Sequence, residues 1–213
     1  MDFQIGCCVM SEQNKTIEYY NKHAEEFCAA TKDADMSYCY EKFKQYVKPS
    51  GKILDVGCGS GRDSKRFMED GYQIEAIDAS EEICKLASEY IGQQVKCRRI
   101  EAITYENEFD GIWACASLLH VAKEEMPVAI EKLCKALKKD GIIYASFKLG
   151  SRERFTEGRY FVDYTEKEVV EVFGEQKGFE IKECFVTEDV RKGCKKIFWI
   201  NIIAVRIVKI YEE

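Results

Sequence analysis

Four stretches of the chain carry residues whose types and spacing fit chemistry at one site. The first is Asp55-Val56-Gly57-Cys58-Gly59-Ser60-Gly61-Arg62. Glycines between a strand and a helix let a ligand approach the backbone closely. A dinucleotide-binding loop reads GxGxxG, and its third glycine would fall at position 62, where Arg62 stands. The pattern here is GxGxG. Asp55, just before the loop, would repel a pyrophosphate and suits a cationic ligand instead. The second stretch holds Asp78, 21 residues beyond Gly57, where a carboxylate can accept both hydroxyls of a ribose. The third is Glu101-Ala102, an acid and a neighbouring amide able to reach the edge of an adenine ring. The fourth is Ser117-Leu118-Leu119-His120-Val121. Histidine titrates near neutral pH, so His120 suits a general base. It serves equally well as a residue that shapes the site and moves no proton.

These residues need strands that end at a common edge. Lys52–Val56 reads as a short buried strand, and Arg62–Glu69 as a helix closed by Asp70-Gly71. Tyr72–Ile77 is a strand ending at Asp78, and Ser80 caps a helix over Glu81–Ile91. Gln94–Ile100 and Phe109–Cys115 read as the third and fourth strands. A helix over Lys123–Lys139 precedes a fifth strand, Ile142–Phe147. Thr165-x-x-Glu168 is a capping box that opens a helix over Glu166–Gln176. Phe179–Glu188 and Ile197–Val208 follow with no helix between them and read as an antiparallel pair. The expected fold is α/β: a Rossmann-like, doubly wound, seven-stranded sheet, mostly parallel with an antiparallel edge strand. Ligands bind such sheets at the carboxyl ends of the strands. Residues 11–47 read as one or two helices ahead of the core, an N-terminal helical lid. Residues 148–164 form a connection too long for a simple loop, a substrate loop able to close over a ligand. The 213 residues suffice for one domain.

Composition excludes several classes. The net charge of −6 argues against a protein that tracks nucleic-acid phosphates. No apolar stretch is long and uncharged enough to span a bilayer, and Met1–Met10 lacks a basic n-region. The expected location is therefore cytoplasmic, as a monomer or homodimer. The 11 cysteines form no CxxC pair, and with only His23 and His120 available no zinc-spaced cluster exists. They read as free thiols, mostly small core residues, with no metal. His23 reads as a surface residue, and Trp113 and Trp199 as core.

The segments ILDVGCGSGRD (Ile53–Asp63), AIDAS (Ala76–Ser80), FDGIWACASLLHV (Phe109–Val121) and GIIYASFK (Gly141–Lys148) resemble the class I S-adenosylmethionine (SAM)-dependent methyltransferases. The resemblance runs from about Tyr19 to Phe179 and looks closest to the bacterial small-molecule, tellurite-resistance-like group. It implies the strand order 3-2-1-4-5-7-6 and SAM as methyl donor. Around the donor it implies Tyr20, Asp55, Gly57, Cys58, Gly59, Gly61, Arg62, Asp63 and Cys115, with Asp78, Ala79 and Ser80 at the ribose. Glu101 and Ala102 fall at the adenine, although Glu101 stands where aspartate is usual. Tyr19, Lys148, Arg152, Arg159, Tyr160 and Tyr164 are the candidate acceptor contacts, and Arg152, Arg154 and Arg159 suit a carboxylate or phosphate. The activity implied is methyl transfer to an O, N or S atom of a small molecule. A protein or peptide methyltransferase and a non-catalytic SAM-binding module are the alternatives.

Overall fold

A computed structural model describes residues 11–174, 177–191 and 197–207. Three helices lead in: α1 (Glu12–Lys22), α2 (Ala24–Thr31) and α3 (Ser37–Lys44). The sequence pattern anticipated one or two; His23 and the turn near Asp35 divide the segment further. Strands β1 (Lys52–Val56), β2 (Gln73–Asp78), β3 (Lys96–Cys97) and β4 (Phe109–Ala114) alternate with α4 (Arg62–Glu69) and α5 (Glu81–Ile91). Helix α6 (Met126–Ala136) and strand β5 (Leu137–Lys148) follow, then β6 (Glu153–Thr156), β7 (Arg159–Val162) and α7 (Glu166–Val172). Strands β8 (Phe179–Glu188) and β9 (Phe198–Arg206) complete the set.

Seven strands form one sheet in the order β3-β2-β1-β4-β5-β9-β8. With the separate β6–β7 hairpin left out of the count, this is the 3-2-1-4-5-7-6 order. β1 pairs in parallel with β2 and β4, β4 with β5, and β2 with β3. β9 runs antiparallel between β5 and β8. Alternation along each strand splits the core in two. Leu54, Val56 and Ile112 face one helical layer, while Ile53 and Trp113 face the other. Trp113 stacks on Tyr144 with ring centroids 3.8 Å apart, and Phe43 and Phe67 pack edge-on against the same indole. Buried aromatic pairs of this kind add to area burial.

Local chemistry sets the helix ends. The Ser80 hydroxyl accepts from the Ile83 amide at 3.2 Å, capping α5. Thr165 and Glu168 form the full capping box of α7. Three boundaries differ from the sequence pattern. α6 starts at Met126, with Pro127 in its first turn, where the missing amide costs nothing. It stops at Ala136, because Leu137 pairs with Phe109 and joins β5, so tertiary pairing overrides helical periodicity. β3 shrinks to Lys96–Cys97, and a 3₁₀ turn takes Ile100–Ala102. The end of the expected Glu166–Gln176 helix lies outside the described residues, as does the last residue of Ile197–Val208.

The 148–164 connection is ordered. It is a hairpin whose turn, Glu157-Gly158, has φ of 49° and 78°. Two positive φ values are the geometry of the two-residue turn that matches strand twist. The hairpin packs on α1: the Tyr160 amide donates to the Thr16 hydroxyl at 2.9 Å.

Candidate functional site

Two chambers open at the carboxyl ends of the parallel strands. The glycine-loop chamber, about 140 Å³, has Gly57 and Gly59 on one side and the β2 end, Asp78-Ala79-Ser80, on another. Glu101 borders it, and Gln13, Thr16, Ile17 and Tyr20 of α1 cover it. The Gly57 and Cys58 amides both donate to the Ile77 carbonyl, at 2.8 and 3.0 Å, which ties the loop to β2. Gly57 has φ +70°, and a Cβ there would lie 2.5 Å from the Ser117 Cβ. The Asp78 carboxylate accepts from the Gly59 amide at 3.1 Å and the Ser80 amide at 3.0 Å. Burial raises its pKa, and the amides of Ser80, Gly59 and Ala79 pull the other way. These amides occupy only part of a carboxylate's accepting capacity, so it retains room for hydroxyl donors. The Ser117 hydroxyl is buried without a partner among the described residues.

The hairpin chamber, about 450 Å³, lies beyond Tyr20, Phe27, Gly57, Gly59, Ala116 and His120, which face both spaces. Its walls include Cys58, Arg62, Asp63, Cys115, Lys148, Arg159, Phe161 and Trp199. At the junction the Tyr20 hydroxyl and His120 Nε2 are 3.0 Å apart. His120 Nδ1 lies 2.5 Å from the Tyr160 carbonyl. A carbonyl only accepts, so Nδ1 carries the proton, and Nε2 accepts from Tyr20. Burial lowers the His120 pKa to about 4; the Tyr160 carbonyl opposes this, and Arg159 and Lys148 add to it. The near-neutral titration anticipated from sequence is therefore corrected: this imidazole is neutral through the physiological range, because its burial disfavours charge.

Several candidates are placed elsewhere than expected. Asp55 lines neither chamber; it accepts from the Ser64 hydroxyl at 2.6 Å, fully buried at the start of α4. Burial, then the charge of Asp63, raises its pKa. Gly61 caps α4 in a left-handed conformation and packs on Ile91 and Ala87. The Ala102 amide is spent on the Arg99 carbonyl, and Ala102 is exposed. The exposed Glu101 carboxylate pairs with Arg99. Arg62 and Asp63 pair with each other, and Asp63 also accepts from Tyr40 and, at 2.8 Å, from Trp113. Burial alone would raise the Asp63 pKa, but these partners hold it below the usual range. Arg62, Asp63 and Cys115 thus stand in the hairpin chamber.

Among the acceptor candidates, Lys148 and Arg159 line the hairpin chamber. Tyr19 does not: it stacks on His23 and lies under the Arg159 guanidinium. Arg152 is exposed, and Arg154 is paired to Asp163. Tyr160 contributes its carbonyl while its hydroxyl goes to Glu153. Tyr164 is buried against Phe147. Trp199 packs partly buried against the core and also walls the hairpin chamber, and its indole N–H donates to Asp189 at 3.1 Å. His23 is half-buried at the end of α1, 3.6 Å from Glu26. Sequence reasoning missed Ser117, Phe27, Asn21 and Arg99. Asn21 accepts from the Ser80 hydroxyl at 2.7 Å. Arg99 donates to Asn14 and Gln13 at 2.7 and 2.8 Å, holding α1 over the chamber. None sits in a recognisable motif, although Ser117 shares the segment of His120. Among the described residues, no three His, Cys, Asp or Glu side chains are grouped to hold a metal.

Residues 53–141 match the family described as a methyltransferase domain. The seven-stranded order and the glycine loop at its switch point agree with that match. Over residues 53–141 the chain is thus similar to methyltransferase domains, and its fold is that of SAM-dependent methyltransferases. It is 37% identical over 103 residues to a ubiquinone biosynthesis O-methyltransferase of Idiomarina loihiensis, covering 45% of this chain and 41% of that protein. The chain spans about half the length of the curated relatives it first matches. Its fold is that of Burkholderia thailandensis 1,6-didemethyltoxoflavin-N1-methyltransferase, solved with bound 1,6-didemethyltoxoflavin and S-adenosylhomocysteine (SAH). There the TM-score is 0.75 at 18% identity, over 92% of this chain and 87% of that one. A SAM-dependent methyltransferase of Methanosarcina mazei gives a TM-score of 0.71 at 21% identity, over 80% and 99% respectively. The narrower tellurite-resistance-like grouping rests on the sequence resemblance alone. No helix among the described residues is long and apolar enough to cross a membrane.

The family's donor can be tested against the residues present. The glycine cradle that a Cβ at Gly57 would fill, the unpartnered Ser117 hydroxyl and the remaining capacity of Asp78 all suit a polar, ribose-bearing ligand.

Proposed function

We propose that the chain transfers a methyl group from SAM to an O, N or S atom of a small-molecule acceptor. The observation that carries this reading is the junction: two chambers share the wall of Tyr20, Gly57, Gly59 and His120. On this reading the adenosine lies in the glycine-loop chamber, with Asp78 at the ribose and Glu101 near the base. The methionine part passes the glycines, and the acceptor approaches from the hairpin chamber. Bound SAM supplies an electrophilic methyl on a sulfonium. The protein's share is to align the acceptor, exclude water and manage one proton. The hairpin, bonded to Thr16 and His120, walls the second chamber and favours a small acceptor over a protein chain.

His120 acts through Tyr20. Its neutral Nε2 receives the Tyr20 hydroxyl hydrogen bond, which orients the phenol oxygen toward the junction. An acceptor that arrives protonated passes its proton toward this pair as the new bond forms. With a pKa near 4, His120 is a weak base, so its main contribution is to fix Tyr20 and the β7 carbonyl in place. The test is a screen with methyl-labelled SAM against metabolite pools and against proteins. Label in small molecules supports the reading; label only in polypeptides overturns it.

A further inference from the structure

We propose that the methyl acceptor is an organic anion, an apolar or aromatic body bearing a carboxylate or phosphate, held by Lys148 and Arg159 beside Phe161. The inference deepens the proposed function and rests on it for the word acceptor. Lys148 Nζ lies 3.9 Å from the Phe161 ring centroid, and among the described residues it makes no hydrogen bond or ion pair. Arg159 lies 5.2 Å from the same ring. Its Nε is buried with no partner among the described residues, and its ion pair goes to Glu157, a side chain 77% exposed.

The other charges around the chamber are committed or peripheral. Arg62 is taken by Asp63, Arg154 by Asp163 and Arg191 by Asp189. The two remaining acids of the lining, Asp35 and Glu188, are exposed at its rim. The inner wall is therefore left with Lys148, which has no ion pair among the described residues, and Arg159, whose only carboxylate partner there is the exposed Glu157 and which also bonds the Tyr20 hydroxyl. Burial, then the nearby Arg154, makes Lys148 harder to protonate than an ordinary lysine, and Asp163 only partly offsets this. A half-buried cation without a counter-charge is costly, and an incoming anion removes that cost. The remaining lining includes Phe27, Met36, Leu119, Phe161 and Trp199, which suits an apolar body. The geometry also orients the acceptor. Phe161 lies 4.9 Å from the His120 ring, so an anion anchored there keeps the rest of the molecule beside the junction.

The test uses the full chain and three probes of one shape: 2-naphthoate, 2-naphthyl phosphate and neutral 2-naphthamide. Their affinities are read by saturation-transfer NMR, with and without SAH. The expected result is at least about tenfold tighter binding of an anionic probe than of the amide, as a charge-assisted contact allows. Whichever anion wins tells carboxylate from phosphate. Lys148→Gln and Arg159→Gln should each erase most of that preference, and Lys148→Arg should keep it. Equal binding of amide and anions, or no binding of any probe, overturns the proposal. So does a preference that survives both Gln variants. SAH affinity is measured on the same samples. If both variants lose SAH binding while the anion preference persists, the cations serve the donor's own carboxylate and the proposal fails. If the wild type binds no SAH, the methyltransferase reading fails separately, and the anion preference is still read on the protein alone. Should Lys148→Gln melt early, Arg159→Gln and the wild-type comparison of probes decide.

Discussion

The glycine-loop chamber takes its shape from backbone, and the hairpin chamber takes its shape from side chains brought together over long distances. In the first, the Gly57, Cys58, Gly59 and Ser80 amides are fixed by neighbours on β2. In the second, Lys148 ends β5, Arg159 and Phe161 come from the hairpin, and Trp199 comes from β9. A site made of strand ends and amides tolerates few backbone changes but is indifferent to many side chains. A site made of side chains on a separate hairpin can change its ligand while the sheet stays intact. On the proposed reading, the donor belongs to the first and specificity to the second.

The largest effect should come from the backbone. Gly57→Ala forces a left-handed alanine against Ser117, and such strain costs about 1–3 kcal/mol before any ligand is considered. SAH affinity measured by calorimetry should fall by at least about 100-fold, since the loop must shift where the ligand sits. Pairing the change with Ser117→Gly should recover part of it. Next, Asp78→Asn keeps the shape but removes the charge and some accepting capacity. The loss of such contacts is worth about 1–3 kcal/mol, so affinity should fall roughly tenfold while melting temperature barely moves. An unchanged affinity would leave Asp78 as a loop acid that only holds the Gly59 and Ser80 amides.

The sequence made the first chamber legible and the second much less so, for physical reasons. Gly57, Asp78 and Ser80 lie within a few residues of strand ends, so strand spacing was enough to place them along the chamber. Asp55 misled because a carboxylate before the loop can turn either toward a ligand or back to Ser64, and no pattern tells which. The hairpin was read as a loop because its turn is Glu157-Gly158, and glutamate is not a typical first residue of a turn with two positive φ values. The role of the Tyr160 carbonyl has no side-chain signature at all. Leu137–Lys139 continued the helical pattern of α6, and the pairing of Leu137 with Phe109 of β4 opens the strand there instead.

Smaller effects sharpen the contrast. Thr16→Val leaves the buried Tyr160 amide without its acceptor, which should cost about 1–3 kcal/mol. Thermal melts should show it, with turnover reduced and SAH affinity little changed. His120 gives a pH signature with a definite sign. Its pKa falls from 6.5 to about 4 on folding, so the unfolded chain binds more protons in that window. The stability contribution of neutral His120 is present above pH 6.5 and is lost as pH falls toward about 4. Melts of wild type and His120→Gln should diverge across that interval and run parallel through neutrality. The least effect belongs to exposed residues: Arg152→Ala and Glu101→Ala should change SAH affinity by less than about threefold, because exposed ion pairs contribute little.

The most direct test of the account is a calorimetric titration of SAH into the wild-type chain, with NAD as the control ligand. The account predicts one SAH per chain and no NAD binding, because the loop offers a cradle without the third dinucleotide glycine. Binding of NAD in place of SAH would contradict it.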